Sequence, residues 1–100
     1  FNFIPDKFEL EQNYPNPFNP NTKIKFTIPS VVDANFASTT MTQLKVFDVL
    51  GNEVATLVNE YKPAGNYEVE FNAKNISSGV YFYTLSTQNY SETKSMVLLK

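Results

Sequence analysis

The chain contains no cysteine, no histidine and no arginine, and only three glycines in 100 residues. Without cysteine there are neither disulfides nor thiolate metal sites. Without histidine, the commonest general base and the commonest metal ligand are both missing. Eight lysines stand against ten acids, a net charge of −2. That balance, with no arginine fork, argues against nucleic acid as a partner. No apolar run approaches the roughly 20 residues that a membrane-spanning helix needs. A starting methionine and a signal peptide are also lacking, so the sequence reads as a C-terminal piece of a longer protein. Residues 1–7 read as the end of a linker and 8–100 as one domain.

What is present suits a packed interior. Apolar residues make up 42% of the chain and aromatics 15%, enough to offset the entropy of ordering one domain. The apolar residues fall in short alternating runs. Phe8 to Gln12 puts Phe8 and Leu10 on one face. Thr22 to Ile28 places Ile24, Phe26 and Ile28 inward, and Pro29 ends it. Leu44 to Val49 and Glu53 to Val58 are two strands meeting at Gly51. Val54 to Tyr61 also has helical propensity, but the hairpin turn before it favours strand. Asn59 to Asn66 reads as a turn, and Asn66 to Phe71 then puts Tyr67, Val69 and Phe71 inward and Glu68 and Glu70 in solvent. Val80 to Thr87 is apolar on both faces and reads as a strand covered on both sides, either central in its sheet or against a neighbour. Tyr90 to Lys100 is the last strand. Seven strands with frequent turns predict an all-β fold, an antiparallel β-sandwich.

Two segments resist the pattern. Tyr14-Pro15-Asn16-Pro17-Phe18-Asn19-Pro20 must be extended or turning, because each proline restricts itself and its predecessor. Residues 30–42 read as a long loop, with Phe36 either its plug or an exposed contact and the plug favoured.

Chemistry-bearing constellations are scarce. No phosphate-cradling loop and no nucleophile motif occurs, so neither an enzyme, a cofactor nor a small-molecule substrate is expected. The paired glutamates Glu68 and Glu70 read as a solvated face. A loose calcium site using Asp33 or Asp48 is the one metal option left open. Asp48 closes an inward-facing row, so its carboxylate is expected to turn onto backbone N–H groups of the Leu50-Gly51-Asn52 turn. Asn75-Ile76-Ser77 and Asn89-Tyr90-Ser91 fit the N-glycosylation triplet, a pattern frequent by chance.

Three pieces taken together carry a family resemblance: Tyr14 to Thr22, Val46 to Leu57, and Ser78 to Leu85 with Thr93 to Lys100. In that order they resemble the type A C-terminal sorting domain of the type IX secretion system. The hairpin alone is also similar to the Ig-like domain of flagellar hook-capping proteins. The resemblance implies an Ig-like sandwich of about seven strands that directs an upstream cargo across the outer membrane of Bacteroidetes-type bacteria. It implies partners in the outer-membrane translocon, in shuttle proteins and in a sortase-like surface peptidase, and a secreted or cell-surface destination for a monomeric domain.

Signal information in the family concentrates in the last strand, here Lys94, Met96, Val97, Leu98, Leu99 and Lys100. Pro15, Asn16, Pro17, Asp48, Gly51, Gly79 and Tyr81 are the fold-specifying positions. A terminal strand near a sheet edge would offer backbone groups for β-augmentation, and cleavage is expected before Phe8. The long 30–42 loop departs from the family, which usually has a short one there. The competing expectation is an Ig-like binding or spacer module, which requires an exposed aromatic platform from Phe36, Phe47 and Tyr90.

Overall fold

The computed structural model describes residues 7–29 and 39–100. Asp33 and Phe36, and with them the plug expected of the long loop, lie outside the described residues. The strands are β1 (Glu9–Leu10), β2 (Asn21–Ile28), β3 (Thr39–Phe47), β4 (Glu53–Pro63), β5 (Gly65–Asn72), β6 (Gly79–Ser86) and β7 (Ser91–Leu98). They pair antiparallel in two sheets, ordered β1-β2-β5 and β4-β3-β6-β7. The fold is an all-β sandwich, as expected.

Alternation builds the core. Ile24, Phe26 and Ile28 of β2 face Leu44 and Val46 of β3, Tyr81, Tyr83 and Leu85 of β6, and Met96 and Leu98 of β7, all buried. Burying side chains of this size stabilises by roughly 1.5–3 kcal/mol each, against the entropy of ordering them. At the start of β6 the Tyr81 hydroxyl donates to the Ser77 carbonyl at 2.7 Å, four residues back. This is the tyrosine corner of Ig-type sandwiches.

One strand is placed differently from a constant-type immunoglobulin domain, where the fourth strand pairs with the fifth. Here β4 stays with β3 along its whole length, from Phe47↔Glu53 to Thr39↔Pro63. Pairing with β3 corrects two expectations. Residues 39–42 are strand rather than loop, and the turn predicted over Asn59 to Asn66 shrinks to Ala64. Polar residues such as Asn59 and Glu60 have low strand propensity, but a hydrogen-bonded neighbour overrides it.

β6 supplies a third correction. It is interior to its sheet, between β3 and β7, yet its outer face is open to solvent. Val80 is 42% and Phe82 36% exposed. Apolar residues on both faces of a strand show what could be covered, not what is.

Candidate recognition site at the terminal strand

β7 lies at the edge of the four-stranded sheet, where unpaired backbone groups would be expected. The proline-rich segment removes most of that opportunity. Phe18 bridges to Leu98 in parallel: its N–H donates to the Val97 carbonyl at 2.9 Å and its carbonyl accepts from Leu99 N–H at 3.0 Å. Asn16 Oδ1 accepts from Val97 N–H at 2.9 Å, and Gln12 Nε2 donates to the Ser95 carbonyl at 2.7 Å. The edge is therefore closed from Ser95 to Leu99 by residues 12–18. β-Augmentation at this stretch would require displacing them.

The strap is itself anchored from the core. Phe18 is buried and packs against Phe71, with ring centroids 6.1 Å apart. Asn13 is buried, and its amide Nδ2 donates to the Pro15 carbonyl and to Thr22 Oγ1, which in turn donates to the same carbonyl. The Tyr83 hydroxyl accepts from Asn13 N–H at 2.8 Å and donates to the Glu11 carbonyl at 2.7 Å. Burial pushes the Tyr83 hydroxyl up to about 12, because a phenolate would be stranded among apolar neighbours. Sequence reasoning missed Gln12, Asn13, Thr22 and Tyr83. A polar residue beside a proline run carries no period, and a tyrosine in a core row looks like any other apolar residue.

The residues expected to carry the signal are divided by this geometry. Met96 and Leu98 are fully buried, so no partner reaches them while the domain is folded. Lys94 is half-buried and pairs with Glu92 at 3.5 Å. Val97 is half-buried, Leu99 is 56% exposed, and Lys100 is exposed, with its N–H on Ser78 Oγ and its ammonium on the Lys74 carbonyl.

The fold-specifying positions are placed as follows. Pro15 and Pro17 are exposed within the strap, where the Pro15 carbonyl takes the Asn13 and Thr22 bonds and Asn16 caps Val97. Asp48 Oδ1 accepts from Leu50 N–H and Asn52 N–H, both at 2.9 Å, and Oδ2 accepts from Asn52 Nδ2 at 3.2 Å. The Asn52 backbone bond chiefly holds this carboxyl below the usual range, against a smaller opposing effect of desolvation. Gly51 sits at φ +88°, in the left-handed region that side chains resist. Gly79 opens β6 opposite Leu98.

The aromatic platform of the competing expectation is not assembled by Phe47 and Tyr90. Phe47 lies opposite Phe82, whereas Tyr90 sits past the other end of β6, stacked on Phe8 at 4.5 Å and donating to Glu92. Burial first, then that bond to Glu92, raises the Tyr90 hydroxyl. Among the described residues no three His, Cys, Asp or Glu side chains cluster as a metal site would require, and no helix is long and apolar enough to cross a membrane.

Register brings three separate segments to one end of the four-stranded sheet. The β3–β4 hairpin tip, the start of β6 and the end of β7 adjoin there through Phe47↔Phe82 and Val80↔Val97. Exposed apolar residues gather at this end: Val49 is 66% and Leu50 83% exposed, and Val80, Phe82 and Leu99 are exposed too, among polar neighbours such as Glu53 and Ser95. Comparison with known families matches residues 12–99 to the secretion system C-terminal sorting domain. The chain belongs to this family. No curated protein and no solved structure matched it. The sorting domain is thus a type IX secretion signal domain, a family typically non-catalytic, and membership implies interaction with the secretion machinery and export to the cell surface or beyond.

Proposed function

We propose that this sorting domain directs an upstream cargo across the outer membrane, and that the machinery reads the apolar end of the four-stranded sheet. Translocon and shuttle proteins are the partners. A sortase-like surface peptidase then removes the domain within the linker before Phe8. The observation that carries the reading is that exposed Val49, Leu50, Val80, Phe82 and Leu99 and half-buried Val97 lie at one end of the four-stranded sheet, with the charged Lys100 next in the chain. Solvent-facing apolar residues that adjoin in this way mark an interaction surface rather than scattered exposure. Of the terminal-strand residues, Val97, Leu99 and Lys100 make the contact. Met96 and Leu98 act by holding the strand in place, and Lys94 lies outside the contact on the inward-facing row.

Deleting Lys94 to Lys100 does not test this, because it also removes two core side chains. Outward substitutions do. Residues 1–100 are fused to a reporter in a host with a type IX system, and Val80→Thr/Phe82→Thr and Leu99→Ser variants are compared with the parent. The expected result is loss of surface reporter with an unchanged thermal midpoint of the isolated domain. Full export of the folded variants would overturn the reading.

A further inference from the structure

The three-stranded sheet ends at β5, whose outer edge has no strand partner among the described residues. The direction of its backbone groups follows from β2. Lys23 exchanges bonds with Tyr14, and the Lys25 carbonyl accepts from Glu11. Ile24 and Phe26 therefore turn their N–H and C=O groups toward β5, to their register partners Val69 and Tyr67. By the same alternation Asn66, Glu68, Glu70 and Asn72 aim theirs outward.

The other edges are blunted and this one is not. β1 has two residues, and β7 is closed by the strap from Ser95 to Leu99. β4 carries unpaired extra residues, Leu57 and Val54, at two register breaks, and it ends on Pro63. Short strands, bulges and proline all spoil an edge as a template. β5 runs eight residues in unbroken register with β2.

The adjoining flank is also one strand short. The strap ties the two sheets together on the β7 side, so among the described residues three strands over four leave the opposite side incompletely covered. There Tyr67 and Val69 of β5, and Val54, Ala55 and Leu57 of β4, pack on the core while staying half-buried. In a constant-type immunoglobulin domain the fourth strand would lie at this place.

Charge sets what can be added. On the outer face Lys23 stands opposite Glu70, and Lys25 opposite Glu68. Both ammonium groups nevertheless reach Glu68, at 3.5 and 4.0 Å, so Glu70 makes no ion pair among the described residues. A second copy joined β5 to β5 would set acids against acids, which opposes pairing. A strand with basic residues on that face would be attracted.

We propose that the outer edge of β5 accepts, as an added antiparallel strand, an extended segment of another protein in which basic and apolar residues alternate. Its backbone pairs with Asn66, Glu68, Glu70 and Asn72, its basic side chains lie beside Glu68 and Glu70, and its apolar ones cover Tyr67 and Val69.

The test uses the whole chain and two end-capped peptides as long as β5. One alternates lysine and valine; the other has the same composition with the lysines in one block. The alternating peptide is expected to bind by fluorescence anisotropy and to slow amide exchange at Asn66, Glu68, Glu70 and Asn72. Glu70→Gln, which breaks no ion pair among the described residues, is expected to weaken it about two- to threefold, the size of one cross-strand charge pair, with an unchanged thermal midpoint. Equal binding of the block peptide, protection at β4 or β7 instead, unchanged affinity of the folded variant, or no binding would each overturn the proposal.

Discussion

Replacing Tyr83 by phenylalanine isolates the link between the strap and the core. The ring stays, so no cavity opens; only the hydroxyl is lost, and with it the bonds to Asn13 N–H and the Glu11 carbonyl. The two losses are unequal. Glu11 is exposed, so its carbonyl can recruit water at little cost. Asn13 is 2% exposed, and an unsatisfied buried N–H costs about 1–3 kcal/mol. Together the expected destabilisation is about 2–3 kcal/mol. For a domain of this size that lowers the thermal midpoint by roughly 10–20 °C. Circular dichroism melts give the midpoint, and urea titration should show a lower transition concentration with an unchanged slope. Amide exchange at Asn13 should quicken more than at the distant Asn52. A midpoint within about 3 °C of the parent would refute the idea that this hydroxyl holds the strap.

Alkali should act on the same bond. The folded hydroxyl ionises at about 12 and the free one at 10.0, so Tyr83's contribution is full below pH 10 and lost as pH rises toward about 12. The Tyr83→Phe variant should lose less stability than the parent over that window, as measured by urea midpoints at each pH. Asp48 works in the opposite sense: its lowered folded value makes its contribution present above the unfolded value of 3.8 and lost on further acidification. Asp48→Asn should flatten that acid limb, read by the same titrations. Gly51→Ala meets no atom within 4 Å, so only its backbone is strained, and a loss of about 1–2 kcal/mol in a denaturant melt is expected. Asn16→Ala removes the cap on Val97 N–H and should speed exchange at that amide, with a stability loss of about 1 kcal/mol or less.

Local chemistry alone determined much of this domain. The inward rows of β2, β5 and β6 follow from alternation, because a strand turns successive side chains to opposite faces. The Asp48 carboxylate and Gly51 were likewise legible, since the turn they make closes within a few residues. Three features belong to tertiary structure alone. Asn16 meets Val97 across 81 positions, and nothing near either residue encodes that meeting. Pairing with β3 carries β4 on to Pro63 despite its polar residues, and leaves β5 with an edge that has no strand partner among the described residues. Val80 and Phe82 look like core in sequence and are surface in the fold, because periodicity separates two faces without saying which is covered. The family resemblance points to the terminal strand. Which of its residues a partner can touch was decided by the packing of Met96 and Leu98 and by the strap that closes its edge.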